Sequence, residues 1–296
     1  MKDGTQNGDK SEPIREKVVC YGIGTVYTPP ANRGRGYAAH MMRLLHWVLA
    51  SADSLPATFP EEWGPPPTRV ERVGNDQCSV LWSDIGPDFY RRCGPTPDDE
   101  GWIVTGAAST TWRVSKGSSG SLKKPESKWL WLDEAGALQL WERDARHLTE
   151  DARLAYDGRV AFVILPWNDV PTYQSRRHQF VLALQGIDFR RWGVMTVDGD
   201  DAASFATWTI DHPSRTLMVT RLDCQVALFT ELLDLIVGVA QEHGMDKVEI
   251  DNLPTSLQSV APTVGGITDE RDEHLPSLKW YGNENASDVS WLLNER

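Results

Sequence analysis

The sequence lacks the apolar runs and the leader pattern of a membrane or secreted protein. None of its apolar stretches approaches the roughly 20 residues that a membrane-spanning helix needs. Its first residues are polar and show no charged segment followed by an apolar one. We therefore expect a cytoplasmic protein without a membrane partner.

Cysteine and histidine are few and scattered. The four cysteines, Cys20, Cys78, Cys93 and Cys224, show no C-x-x-C spacing and no pairing pattern, which is typical of a reducing compartment. The seven histidines include no H-E-x-x-H motif, so the sequence predicts that no metal is bound. Because no histidine stands in a telling position for a nucleophile's base, Cys20, Cys78 and Cys93 are interpreted as small core residues.

Positive charge is also in short supply. Asp and Glu number 42 against 30 Lys and Arg, which gives a formal net charge of −12. Nucleic acids and anionic membranes attract basic surfaces, so neither is predicted as the main partner. The 296 residues, 40% of them hydrophobic, suffice for the core of one large or two ordinary domains.

The stretch over residues 18–38 is the most informative part of the chain. Residues 18–28 predict an extended strand, since 25–28 are β-branched and aromatic. Pro29 and Pro30 lack ladder donors and end that strand. Apolar residues then recur at helical spacing over 38–49. The pattern predicts a strand, a turn with two glycines, and a helix.

This turn has the features of an anion site. The first N–H groups of a helix have no intrahelical partner and point toward the positive end of the helix dipole. Gly34 and Gly36 lack the Cβ atoms that would block an approaching phosphate, and Arg33 and Arg35 add positive charge. No lysine followed by Ser or Thr comes after the glycines, and the spacing is not G-x-G-x-x-G, which excludes a P-loop and leaves a dinucleotide fold unsupported. A glycine-rich turn with solvated arginines is the alternative interpretation.

Arg33-x-x-Gly36-x-Ala38, placed after Val26-x-Thr28-x-Pro30, resembles the acetyl-CoA signature of the GNAT superfamily of N-acetyltransferases. The resemblance implies that acetyl-CoA is the co-substrate and that backbone amides of the turn bind its pyrophosphate. It also implies that main-chain groups of the preceding strand face the pantetheine arm. The implied cofactor-binding residues here are Val26, Thr28, Arg33, Gly34, Arg35, Gly36, Tyr37 and Ala38.

A second segment, residues 79–94, predicts a buried strand followed by one short helix that ends at Gly94. It resembles the later GNAT pattern N-x-x-A-x-x-F-Y-x-x-x-G, in which Phe89, Tyr90 and Gly94 match and Ser83 takes the Asn position. The resemblance implies that Ser83 contributes to the cofactor site and that Tyr90 is the general acid that protonates the departing CoA thiolate. A phenol of ordinary pKa about 10 is protonated at neutral pH and can donate. The alternative for Tyr90 is a core residue with its hydroxyl in water.

The fold class that follows is α+β (mixed α/β): a truncated GNAT-type twisted sheet with flanking helices, then a second GNAT-like α+β domain. The second domain is inferred from a hairpin, a long helix over 224–243 and a strand, an order that a generic α+β domain would also show. The predicted divisions are a disordered N-terminus at 1–15, a partial GNAT acetyl-CoA-binding domain at 16–114, a flexible linker at 115–128, and the GNAT-like C-terminal domain at 129–296.

As a whole, the chain resembles the fungal lysine acetyltransferase-like family. The resemblance covers roughly residues 17–296, through R-G-R-G-Y-A at 33–38, the segment at 83–90 and the L-P-S-L-K-W-Y-G run at 275–282. It implies transfer of an acetyl group to a small-molecule amine, with the side-chain amine of free lysine as the family substrate. Nothing in the residues themselves identifies lysine.

Two further expectations concern activity. A GNAT domain places three strands and two helices before the pyrophosphate turn, so we expect this chain to be N-terminally truncated and its acetyl transfer impaired. Its general base is unassigned, because Glu16 is the only carboxylate near the strand and lies at its start. The alternatives are a non-catalytic GNAT relic that binds CoA or acts as a scaffold, and an enzyme that acylates protein N-termini or lysines.

Overall fold

The computed structural model describes residues 17–71, 73–115, 128–151, 160–166, 169–197 and 203–293. The strands are β1 Cys20–Gly22, β2 Cys78–Ser83, β3 Ile103–Val104, β4 Ala108–Arg113, β5 Trp129–Leu132, β6 Val160–Val163, β7 Gly193–Thr196, β8 Phe205–Asp211, β9 Thr216–Asp223, β10 Lys247–Asp251, β11 Ile267–Glu270, β12 Leu275–Trp280 and β13 Val289–Leu292. The α-helices are α1 Tyr37–Leu49, α2 Asp88–Arg91, α3 Glu134–Asp151, α4 Asp169–Leu184, α5 Phe229–Glu242 and α6 Thr255–Gln258. The fold is mixed α+β, as the sequence predicts.

A four-stranded sheet in the order β1-β2-β12-β3 carries the N-terminal motifs. β1 runs parallel to β2, and β12 pairs antiparallel with both β2 and β3. β2 is covered on both faces: Cys78 and Val80 pack toward the two-stranded β6–β13 ribbon, and Leu81 packs with Met42 of α1. This double burial agrees with the three consecutive apolar residues, Val80, Leu81 and Trp82, in the middle of β2.

The second sheet has seven strands in the order β11-β4-β10-β9-β8-β7-β5. α5 packs against it with an apolar stripe at helical spacing, formed by the fully buried Phe229, Leu232, Ile236 and Val239. Side chains of α3 also contact this sheet: Leu140 packs with Leu132 of β5 and Phe205 of β8 in a separate apolar cluster. The helix predicted over 224–243 is therefore confirmed in type: a 3-10 turn at Val226–Leu228 leads into the α-helix, which begins at Phe229.

The two sheets exchange strands across the predicted domain boundary. β4 precedes the predicted linker but pairs with β10 and β11 of the second sheet. β12 follows the linker but pairs with β2 and β3 of the first sheet. The boundary at 115–128 stays a prediction, because residues 116–127 and the predicted disordered segment at 1–15 lie outside the described part of the chain.

The strand predicted over 18–28 is wrong beyond Gly22. β1 ends there, and its ladder with β2 closes on the Ile23 N–H, which donates to the Val80 carbonyl at 2.8 Å. Thr25 then has a left-handed φ of 56°, an outlier for a β-branched residue. Residues 24–29 leave the sheet because no neighbouring strand pairs with them among the described residues, so their β-propensity is overridden.

Candidate cofactor site

The turn before α1 exposes the start of the helix. Gly34 and Gly36 have φ values of 74° and 78°, and an ideal Cβ placed on either would meet no atom within 4 Å. The first helical bond runs from the His40 N–H to the Gly36 carbonyl at 2.9 Å. Among the described residues, no acceptor pairs with the N–H groups of Tyr37 or Ala38. The turn therefore presents free backbone donors in open space, as the sequence predicts.

The two arginines of the turn differ in their contacts. Arg33 Nε donates to the Thr28 carbonyl at 3.1 Å, and its guanidinium lies 5.9 Å from the centre of the Tyr27 ring. This contact closes the loop between residues 28 and 33 and occupies a carbonyl that was expected to face pantetheine. Arg35 is exposed at the tip of the turn. Both positive charges lie beside the open helix terminus, where they favour an anion.

A cleft of about 520 Å³ begins at this turn and follows one flank of α1. This volume lies within the range of small-molecule sites. Its lining is mostly apolar and includes three of the predicted cofactor residues, Thr28, Tyr37 and Ala38. Tyr27, Tyr37 and Met41 in the same lining are each about half exposed.

Tyr90 lies on α2, with 9% of its surface exposed, in a cluster with Met42, Leu81 and Trp102. The partly buried Val26 packs against the same cluster, so the structure brings the predicted general acid near one of the predicted cofactor residues. Burial raises the pKa of Tyr90, with the Asp84 charge as the second cause. A higher pKa keeps the phenol protonated at neutral pH, as a proton donor requires. Its hydroxyl has no hydrogen-bond partner among the described residues.

Ser83 is held in the turn between β2 and α2. Its hydroxyl donates to the Gly86 carbonyl at 2.7 Å and accepts the Ile85 N–H at 3.3 Å. The side chain is buried, with 1% of its surface exposed. These bonds define a local structural role, and the cofactor contact of Ser83 stays a prediction.

Sequence reasoning missed His46, which is fully buried and contacts three segments beside the first sheet. Its Nε2 lies 2.6 Å from the Cys93 carbonyl, its Nδ1 lies 2.6 Å from the Tyr281 hydroxyl, and its ring stacks on Trp102 at 4.3 Å. Because a carbonyl can only accept, Nε2 carries the proton and Nδ1 accepts from Tyr281. Burial lowers the pKa of His46 to about 3, which keeps the ring neutral. The sequence signal for its burial was helical spacing, because His46 lies on the same face of α1 as the buried Met42 and Leu49.

Asp76 is a second buried group that the motifs did not reveal. Its Oδ1 accepts the Cys78 N–H at 2.9 Å, whereas its Oδ2 is buried without a hydrogen-bond partner among the described residues. Only 2% of its surface is exposed. Burial raises the pKa of this carboxyl from 3.8 to about 8, against the lowering effect of the Cys78 N–H.

Within the described ranges, no three His, Cys, Asp or Glu side chains are grouped so that they could hold a metal ion. No helix in the same part of the chain is long and apolar enough to cross a bilayer. The donors that the turn does offer are backbone N–H groups and guanidinium groups. That set suits a phosphate and not a cation.

Comparison with protein families identifies the larger part of the chain. Residues 111–296 match the model of the LYC1 GNAT-like C-terminal domain. The chain belongs to this GNAT family. The matched range begins inside β4 and includes β12, so the family domain supplies a strand to the sheet that carries the turn. The turn and Tyr90 themselves lie before the matched range.

Solved structures give weaker likenesses. A GCN5-related N-acetyltransferase from Kribbella flavida is 15% identical with a TM-score of 0.43, over 89% of this chain and 53% of that one. A probable N-acyltransferase from Enterococcus faecalis V583 is 12% identical with a TM-score of 0.47, over 89% and 55%. A tandem GNAT protein from the clavulanic acid biosynthesis pathway is 11% identical with a TM-score of 0.42, over 90% and 76%. The chain thus spans about half the length of the first two, and no curated protein matches it.

Proposed function

We propose that this chain binds acetyl-CoA at the turn before α1 and transfers its acetyl group to an amine. One observation carries the proposal: the open helix terminus that follows Arg33 and Arg35, where two left-handed glycines leave the first backbone donors free. Membership of a GNAT family supports it independently.

The residues of the turn fit a pyrophosphate. The N–H groups of Tyr37 and Ala38 would donate to phosphate oxygens, and the helix dipole would favour the negative charge. Arg35 is exposed at the tip of the turn and adds positive charge there, while Arg33 is held against Thr28 and Tyr27, which precede the turn. A Cβ on Gly34 or Gly36 would fill the space in which such a group must lie, and both positions are empty of protein atoms within 4 Å.

Tyr90 would act on the leaving group. In acetyl transfer, a neutral amine attacks the thioester carbonyl, a C–N bond forms, the C–S bond breaks, and the thiolate needs a proton. A protonated phenol without another partner can donate that proton, and burial holds Tyr90 in this form. The packing of Val26 against the Tyr90 cluster supports a path for the thioester arm from the turn toward this hydroxyl.

For the acceptor we propose the side-chain amine of free lysine, by resemblance to the fungal lysine acetyltransferase-like family. An ε-ammonium of pKa about 10.4 must lose a proton before it attacks, so the reaction should accelerate as pH rises through the neutral range. The net charge of −12 also favours a cationic substrate over an anionic one.

The proposal predicts the effect of Tyr90→Phe. In an assay that follows thiol release from acetyl-CoA with L-lysine as acceptor, kcat should fall at least tenfold, about 1.4 kcal/mol of barrier, because the lost proton donor acts in the transition state. The KM for acetyl-CoA should change little. The control Phe89→Leu alters the packing of the same helix without removing a donor and should affect kcat less.

The outcomes separate the candidate functions. An unchanged kcat in Tyr90→Phe would remove Tyr90 from the mechanism. Turnover with peptide amines but not with L-lysine would show that the acceptor is an amine of a peptide and not free lysine. Binding of CoA without turnover of either kind of amine would favour the non-catalytic CoA-binding alternative over the enzyme.

A further inference from the structure

Two cysteines that are far apart in sequence are direct neighbours in the first sheet. β1 pairs with β2 in parallel, and the register places Cys20 opposite Cys78. Adjacent strands lie about 4.8 Å apart, and a disulfide needs Cα atoms about 4.4–6.8 Å apart. Cys20 also packs against the apolar cluster that contains Cys78. A bond between them would therefore require little backbone movement.

The two thiols differ in access. Cys78 is fully buried, in a cluster that includes Val80 and Trp280, whereas Cys20 is partly exposed at the edge of that cluster. Contact with Cys20 and burial raise the pKa of the Cys78 thiol, and the nearby Asp76 carboxyl acts in the same direction. Cys20 is therefore the thiol that a reagent meets first, and Cys78 is the one that resolves.

We propose that Cys20 and Cys78 form an oxidation site, closed to a cross-strand disulfide by a small disulfide reagent such as oxidised glutathione. The Cys20 thiolate attacks one glutathione sulfur, which forms a mixed disulfide and releases one glutathione. Cys78 then loses its proton and attacks the Cys20 sulfur, which releases the second glutathione. Two protein thiols are oxidised, one glutathione disulfide is reduced to two thiols, and the two protons pass to the released thiolates.

The Cys20–Cys78 pair lies at the start of the stretch that leads from β1 to the turn before α1. β1 has three residues and leads directly into the strained segment at Thr25 and then to the turn before α1. A covalent link from β1 to β2 would prevent β1 from opening, and a disulfide that closes a long loop restricts the unfolded chain most. The oxidised protein should therefore melt a few degrees higher, whether or not the chain is an acetyltransferase.

The test is to equilibrate the full chain with a series of reduced and oxidised glutathione ratios, alkylate free thiols, and map the peptides by mass spectrometry. We expect a Cys20–Cys78 linked peptide that lacks two hydrogens, with Cys93 and Cys224 alkylated. Melting of the same samples should show the higher midpoint only in the linked form.

Three variants make the assignment specific. Cys78→Ser should trap Cys20 as a stable mixed disulfide with glutathione, and Cys20→Ser should leave Cys78 free in the folded protein. Cys224→Ser, which removes the other partly exposed cysteine, should form the link like the wild type. Free Cys20 and Cys78 at every ratio, a lasting glutathione adduct on wild-type Cys20, or a link to Cys93 or Cys224 would each overturn the proposal.

Discussion

Replacing Gly94 by alanine should destabilise the protein by about 3 kcal/mol, since overpacking against an immobile neighbour costs energy on this scale. An ideal Cβ at Gly94 would overlap the carbonyl oxygen of Asp99 and lie 2.5 Å from its carbonyl carbon. These are backbone atoms, so the clash is not relieved by turning a side chain. The preceding carbonyl, that of Cys93, is bound to His46, which opposes a shift of the segment.

The measurement is the free energy of unfolding in urea. Gly22→Ala is the matched control, because a Cβ at Gly22 would meet nothing within 4 Å, and it should change stability by less than about 0.5 kcal/mol. A Gly94→Ala protein with the wild-type urea midpoint would contradict the close approach of residues 94 and 99. Gly94, the matched glycine of the 79–94 segment, therefore has a packing role in the fold.

Asp76→Asn should make the protein more stable at alkaline pH and remove part of its pH dependence. Because burial raises the pKa of Asp76 to about 8 from 3.8, the folded state holds a proton that the unfolded state has lost between these pH values. Stability therefore falls as pH rises through this window, by up to about 1.4 kcal/mol per pH unit from this group. Above about pH 8, Asp76 is ionised in both states and no longer makes the free energy of unfolding depend on pH.

The experiment compares urea unfolding of wild type and Asp76→Asn from pH 5 to pH 9. The stability difference should grow in favour of the variant across that range by about 4 kcal/mol, because the window from pH 5 to about pH 8 spans roughly three pH units at about 1.4 kcal/mol each. Asp88→Asn is the control, since a hydrogen bond from Arg91 lowers the pKa of the exposed Asp88. Its titration falls below pH 5, so the curve of this variant should run parallel to that of the wild type from pH 5 to pH 9. A wild-type curve parallel to that of Asp76→Asn would show that Asp76 is ionised in the folded protein.

Local patterns in the sequence predicted local structure well. The helix α1, the sequence of β2 and α2, and the long helix α5 each follow from residues close together in the chain. Gly36 at the start of α1 is in the left-handed conformation that a turn of this type needs. In these cases periodicity, proline and glycine carry the information, and tertiary contacts agree with them.

Pairing between distant segments could not be predicted in the same way. The entry of β12 into the first sheet and the contact of Cys20 with Cys78 depend on strand partners that no periodicity specifies. The shortness of β1 has the same origin, because residues after Gly22 find no ladder partner despite their β-propensity. His46 and Asp76 were missed because polar residue types suggest exposure, and only the packing around them shows burial.

Calorimetric titration of CoA into the wild type, Gly36→Val and Gly64→Val shows whether the turn before α1 binds the cofactor. Gly36 and Gly64 both have positive φ values, 78° and 84°, and open surroundings. Because Gly64 also has a ψ of −152° against 3° for Gly36, valine strains the backbone at Gly64 at least as much, and only Gly36 lies at the open start of α1. We predict saturable binding to the wild type, similar affinity for Gly64→Val, and at least tenfold weaker binding to Gly36→Val, about 1.4 kcal/mol. Equal affinities for all three proteins, or no binding of CoA by the wild type, would contradict the account.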